Sequence, residues 1–152
     1  MHSKVKILMV AIAIAGVAGT GVVWGVEQGA FSCFLCPTPP NQLEKSSLVS
    51  FLFNSPTNVT LSVRNTGPLV WYLVSYRVYD GSGNQYNRTT WSGPSINPNS
   101  LGNATLTIGT SCGNNCVYQG TQGTFSQFNT GGHYTVDLKT SRDTTFTFQV
   151  TD

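Results

Sequence analysis

Charge is scarce in this chain. Only 9% of its 152 residues are Asp, Glu, Lys or Arg, and the formal net charge is +2. Lys4 and Lys6 precede an apolar run, and the other basic residues (Lys45, Arg64, Arg77, Arg88, Lys139, Arg142) are dispersed. With no basic cluster to neutralise phosphates, nucleic acid is not an expected partner. Histidine is nearly missing as well, with His2 ahead of the apolar run and His133 alone in the remainder. His133 and Asp137 would share a strand face, but four residues at strand rise is about 13 Å, too far for a base and its orienting acid. Paired carboxylates, a histidine cluster and a phosphate-cradling glycine loop are all lacking, and Ser92 and Ser95 have no nucleophile-elbow context. Asp137 and Asp143 read as turn and surface residues. The expectation is a non-enzyme with no catalytic residue, no metal site and no cofactor.

What is present begins with a long apolar run. Residues 5–26 hold no charge after Lys6, and a bilayer-crossing helix needs roughly 20 such residues. Lys4 and Lys6 before it and Glu27 after it place the N-terminus in the cytoplasm and the rest outside, by the positive-inside bias. The same segment reads alternatively as a secretory signal, with a cleavage site at Ala13-Ile14-Ala15 or Gly16-Val17-Ala18. Hydrophobicity continuing through Val22, Val23 and Trp24 favours an uncleaved anchor. Ala11, Ala15, Ala18, Gly25 and Gly29 fall near one helical face, and Gly21-x-x-x-Gly25 has the spacing that lets helices approach closely. Such a helix suits packing against copies of itself.

Export is consistent with the cysteines. They form two close pairs, Cys33 with Cys36 and Cys112 with Cys116, and an even count in an exported chain reads as disulfides. Three connectivities are possible. Local pairing of Cys112 with Cys116 across Gly113-Asn114-Asn115 is favoured, and a bridge from Cys33 or Cys36 to a neighbouring copy stays open. Cys33-x-x-Cys36 precedes a Pro-rich linker rather than opening a helix, which argues for a structural over a redox role. Asn58-Val-Thr60, Asn87-Arg-Thr89 and Asn103-Ala-Thr105 match the N-glycosylation acceptor pattern, meaningful outside the cytoplasm.

Residues 1–27 thus form a hydrophobic helix and residues 28–45 a Cys/Pro-rich linker, in which Pro37-Thr-Pro-Pro40 favours an extended spacer. In residues 46–152 the hydrophobic period is two. Val59, Leu61 and Val63 alternate with polar residues. Residues 69–79 read as a central strand, with Val70, Tyr72, Val74, Tyr76 and Val78 on one side and Trp71, Leu73, Ser75, Arg77 and Tyr79 on the other. Asp80-Gly-Ser-Gly-Asn84 has oxygen-bearing residues at alternate positions but lacks the distal glutamate of a calcium loop, so it reads as a hairpin turn. Residues 91–99 connect two sheets, residues 118–129 read as a polar loop, and a hairpin over residues 134–150 closes the domain. Seven or eight short strands with strong turns between them predict an all-β fold: an immunoglobulin-like antiparallel β-sandwich preceded by an N-terminal hydrophobic α-helix.

Two segments, Asn58-Val-Thr-Leu-Ser-Val-Arg-Asn-Thr-Gly67 and the hairpin over residues 134–150, resemble the C-terminal domains of archaeal type IV pilins and archaellins. The order of helix, linker and sandwich is similar over nearly the whole chain. Nothing between Met1 and Val5 matches the basic residue and Gly or Ala that end those families' leaders. The resemblance implies a non-catalytic structural subunit of an archaeal extracellular filament. It implies copies of the chain as partner (a homopolymer), the membrane as partner through residues 5–26 at least before assembly, the small-residue helix face in packing, and glycans on Asn58, Asn87 and Asn103. A related filament type joins subunits by donating a strand to the next copy's sheet edge. The alternative is a membrane-anchored extracytoplasmic accessory or ligand-binding sandwich.

Overall fold

The computed structural model describes residues 43–121 and 125–152 in full and the backbone of 22–24 and 31–33. The chain divides into two compact units, 1–38 and 39–152. In the first, β1 (Val22–Trp24) pairs antiparallel with β2 (Phe31–Cys33). Extended backbone therefore stands where the sequence pattern continues a helix to residue 26. Two adjacent valines and a tryptophan are strong strand formers, which accounts for the difference. The rest of the expected helix, with Ala11, Ala15, Ala18, Gly21, Gly25 and Gly29, lies outside the described residues. Among the described residues no helix is long and apolar enough to cross a membrane.

The second unit is all-β. Its strands are β3 (Ser46–Ser55), β4 (Asn58–Asn65), β5 (Trp71–Asp80), β6 (Gln85–Arg88), β7 (Ser95–Ile96), β8 (Leu101–Thr107), β9 (Cys116–Gln119), β10 (His133–Thr140) and β11 (Thr145–Thr151). One antiparallel sheet has the order β3-β4-β8 and the other β11-β10-β5-β6-β9, with β7 also on β5. Val59, Leu61, Val63, Ala104 and Leu106 from the first sheet share one core with Leu73, Tyr76, Val78, Val136, Leu138 and Val150 from the second. The strand order corresponds to A, B and E facing G, F and C in an immunoglobulin-like sandwich. The connection over residues 91–99 does cross between sheets, and its Ile96 fills the space over Gly102, where a Cβ would come within 2.5 Å of it.

Three details differ from the hydrophobic pattern. Strand β5 is central, but Trp71 and Leu73 point inward at its start and Tyr76 and Val78 inward at its end. The register against β10 shifts between Lys139 and Thr140, where Ser75 gives way to Leu73 opposite. This bulge exchanges the two faces of β5 midway, so Val70, Tyr72, Val74, Tyr76 and Val78 do not line one side. Next, residues 118–129 are not simply a polar loop. Tyr118 sits on β9 against Tyr86, and Phe125 and Phe128 are buried beside Tyr134, with ring centroids 5.4 and 5.0 Å from it. Last, Glu44, in the expected linker, is part of the domain.

Cys112 and Cys116 are bonded, across the turn after the 3-10 segment Gly109–Cys112. Cys112 Sγ lies 3.4 Å from the Tyr76 hydroxyl. That hydroxyl donates to the Thr107 carbonyl at 2.7 Å and accepts from the Thr107 N–H at 3.1 Å, joining β5 to the end of β8. Cys116→Ser is expected to lower the unfolding free energy by about 2 kcal/mol, the loop-closure value for so short a loop. Urea denaturation checks this, with a lower midpoint at nearly unchanged slope as the expected result. Cys36 and the Cys33 side chain lie outside the described residues.

Candidate functional site

The outer face of the larger sheet is the first surface to consider. Arg77 and Tyr79 on β5, Asp137 on β10 and Thr147 on β11 all point outward, because each is two residues from an outward neighbour on its strand. Their side chains converge on the Asp137 carboxylate. Arg77 donates to Asp137 Oδ2 from Nε at 3.1 Å and Nη2 at 2.6 Å. Thr147 donates to Oδ1 at 2.7 Å and Tyr79 at 3.3 Å. Asp137 is thus a buried, fully hydrogen-bonded strand residue and not the surface residue its sequence context suggests. A carboxylate can be covered on a sheet face only where several donors flank it, and these come from strands distant in sequence. Hydrogen bonding to Asp137 raises the Arg77 pKa further above its usual value. Burial, then the charge of Asp137, raises that of Tyr79.

Beside this cluster runs an open groove of about 390 Å³, lined by Ser75, Arg77, Asn87, Thr89, Asp137 and Lys139 among others. It is polar but offers no reactive pair. His133 Nδ1 is 2.8 Å from Thr151 Oγ1, and Asp137 is engaged elsewhere. Asp80 accepts from the backbone N–H groups of Ser82 and Asn84 and from Asn84 Nδ2. Its turn is therefore closed on itself. Among the described residues no group of three His, Cys, Asp or Glu side chains could hold a metal ion.

The three acceptor asparagines do not come together. Asn87, on β6, faces the groove. Asn58 and Asn103 lie on the outer face of the smaller sheet, where Asn54 Nδ2 donates to Asn58 Oδ1 at 2.7 Å and Ser62 Oγ to Asn103 Oδ1 at 2.9 Å. That face is a ladder of hydroxyls and amides, with Thr60 and Thr105 3.0 Å apart. Of the three, Asn103 is exposed and Asn58 and Asn87 are half-buried.

Two further surfaces escape sequence reasoning. One is the entry to the domain. The Glu44 carboxylate has no solvent exposure; it accepts from Thr140 Oγ1 at 2.7 Å and pairs with Arg142 Nη1 at 2.9 Å. Arg142 Nη1 also donates to the Val70 carbonyl at 2.7 Å. On the other side the Thr66 N–H donates to the Lys45 carbonyl at 2.9 Å, so the chain is held from both flanks just before β3. A lone Glu after a Pro-rich stretch carries no sequence signal of this. The other surface is β3 itself, at the edge of its sheet, with Val49, Phe51 and Leu52 exposed by 52%, 39% and 64%. A cleft of about 430 Å³ adjoins its end, lined by Phe53, Ser55, Pro56 and Phe128 among others.

No protein-family model matches the sequence, and no curated protein does. Among solved structures, the chain is similar to the archaellum periplasmic stator protein FlaG from Sulfolobus acidocaldarius, with a TM-score of 0.50 and 12% identity over 71% of this chain and 100% of that one.

Proposed function

We propose that this chain is a non-catalytic structural component of an archaeal surface appendage, with its β-sandwich outside the cell and residues 5–26 serving membrane attachment or assembly. The observation that carries the reading is the sandwich itself. It has hydrogen-bonded polar outer faces without a reactive pair among the described residues, and Glu44, just before its first strand, is pinned to Thr140 and Arg142. Likeness of fold to an archaellum stator protein supports the same setting.

Within this setting the chain is a homopolymerising filament subunit, with its N-terminal segment at the assembly interface and glycans on Asn58, Asn87 and Asn103. A membrane-anchored accessory protein is the second reading, favoured by the description of the structural neighbour as a stator.

The test is fractionation of native cells into sheared surface appendages and membranes, with intact mass, N-terminal sequencing and negative-stain microscopy of each. The filament reading expects the chain as a major component of visible filaments. Recovery only from membranes, as a dispersed detergent-soluble species, overturns the filament reading in favour of the accessory one. Recovery from cytosol alone overturns both.

A further inference from the structure

We propose that the groove on the outer face of the larger sheet is a carbohydrate-binding site, occupied by the first sugars of a glycan carried on Asn87 of the same chain. The groove is built from two transverse rows of side chains on neighbouring strands. In one row Asn87 on β6 stands opposite Arg77 on β5, which stands opposite Asp137 on β10. In the next, Ser75 on β5 stands opposite Lys139 on β10, which stands opposite Thr145 on β11. Thr89, the hydroxyl residue of the Asn87 acceptor triplet, lines the same groove. From Asn87 across to Asp137 is two strand intervals, about 10 Å. The register shift of β5 against β10 falls just beyond Ser75 and Lys139, and a bulge bends its strand out of a flat sheet.

The lining suits a polyhydroxylated ligand. Among the described residues Ser75, Asn87, Thr89 and Thr145 have no side-chain hydrogen bond to the protein. Elsewhere on the outer faces polar side chains satisfy one another, as Thr60 does with Thr105, Ser62 with Asn103 and Thr135 with Gln149. Arg77 is held by Asp137 through Nε and Nη2 and lies over the Tyr79 ring at 5.2 Å, so its Nη1 is a fixed donor with no partner among the described residues. Lys139 pairs with Asp143 at 2.9 Å, but both are exposed, and such a pair holds its ammonium weakly. Sugar oxygens can accept from these two cations, and sugar hydroxyls can donate to the Ser75 and Thr145 oxygens. The groove, at about 390 Å³, is near the small end of the range for ligand sites and is open, so a free sugar binds it weakly. Covalent attachment changes that balance. Glycan transfer forms the bond between sugar C1 and Asn87 Nδ2, breaks that between C1 and the phosphate of a sugar-phosphate donor, and releases an amide proton. Because Asn87 itself lines the groove, the attached sugar begins inside it, at the millimolar or higher effective concentration that a short tether gives. Asn58 and Asn103 stand on the ladder of the smaller sheet and line neither this groove nor the cleft beside Phe128.

This inference rests on the glycan placed at Asn87 in the reading above and deepens it by giving that glycan a seat. Its test uses full-length protein from its native cells, dispersed in mild detergent. Mild periodate cleaves vicinal diols, and glycopeptide mass spectrometry follows the sugars nearest each asparagine. Those on Asn87 are expected to oxidise about tenfold more slowly in the native protein than in urea, the protection given by a seat worth one or two net hydrogen bonds. Those on Asn103 are expected to oxidise at nearly the same rate in both. Ser75→Ala combined with Thr145→Ala, which leaves the acceptor triplet intact, is expected to remove most of the protection at Asn87. If that variant does not fold, Lys139→Ala gives the same readout. Asn87 unmodified in the native protein, no native protection at Asn87, equal protection at Asn103, or protection that the variants leave unchanged overturns the inference. None of these results touches the filament reading, which is decided by where the chain is recovered. Protection at Asn87 in a chain that never enters filaments overturns the filament reading alone.

Discussion

Trp71→Ala is expected to destabilise the sandwich by about 3–5 kcal/mol, the usual range for emptying a buried aromatic site. Trp71 has no exposed surface, and its ring lies 4.5 Å from that of Phe146. Its strand pairs with β7 at Ile96, which in turn covers Gly102 of the opposite sheet. Removing the indole therefore opens the one end of the core where both sheets meet a short bridging strand, and the backbone has little freedom to close the gap. The indole also carries a liability. Among the described residues Nε1 is buried with no hydrogen-bond acceptor, and an unsatisfied donor costs about 1–3 kcal/mol. Trp71→Phe removes that donor while retaining an aromatic ring, so its expected loss is no more than about 1 kcal/mol. Chemical denaturation of both variants, compared through their midpoints at constant slope, checks the contrast. Equal losses would show that volume alone decides at this site.

How far the sequence carries depends on how local each signal is. Alternation over Val59, Leu61 and Val63 and over Tyr134, Val136 and Leu138 reflects a property of one strand, and these residues all lie in the core. The same rule fails along β5, because the bulge that exchanges its faces is imposed by pairing with β10, far downstream in the chain. Phe125 and Phe128 escape for another reason. Three residues apart in an irregular segment, they follow neither strand nor helix periodicity, and the Phe128 N–H is held by the Pro56 carbonyl from a distant turn. Polar residues are hardest to place. Asp137 and Glu44 are both buried, Asp137 made tolerable by donors from neighbouring strands and Glu44 by Thr140 at the end of β10 and Arg142 in the turn after it. No spacing rule within one segment encodes such partners. The exposed edge of β3 is invisible in a different way. Its apolar residues look like core until the sheet order places β3 at the edge, with no further strand beyond it among the described residues.

Glu44→Ala is expected to cost about 2–4 kcal/mol, and more of the loss should come from what is stranded than from what is removed. Breaking a fully buried ion pair typically costs about 3–5 kcal/mol. Here one partner is only partly covered: the Glu44 side chain has no exposure, but Arg142 retains 33%. With Glu44 gone, Arg142 can turn its free donors to water while Nη1 keeps the Val70 carbonyl, which lowers the expected figure. Thr140 fares worse, since its buried hydroxyl then has only the Arg142 N–H, at 3.2 Å, and loses the carboxylate it served as donor. The reciprocal change, Arg142→Ala, leaves a carboxylate without solvent exposure and with a single remaining hydroxyl donor among these three residues. It is therefore expected to be at least as costly as Glu44→Ala, although it removes a more exposed side chain. Glu44→Gln keeps an acceptor for Thr140 and should fall between wild type and Glu44→Ala. Equilibrium unfolding of the three variants gives the ranking. Hydrogen exchange adds a local readout: the Thr66 N–H, bonded to the Lys45 carbonyl, should lose protection in Glu44→Ala by more than the global loss accounts for if Glu44 pins the entry strand. Protection falling only in step with global stability would mean that the pair stabilises the sandwich without fixing the chain that enters it.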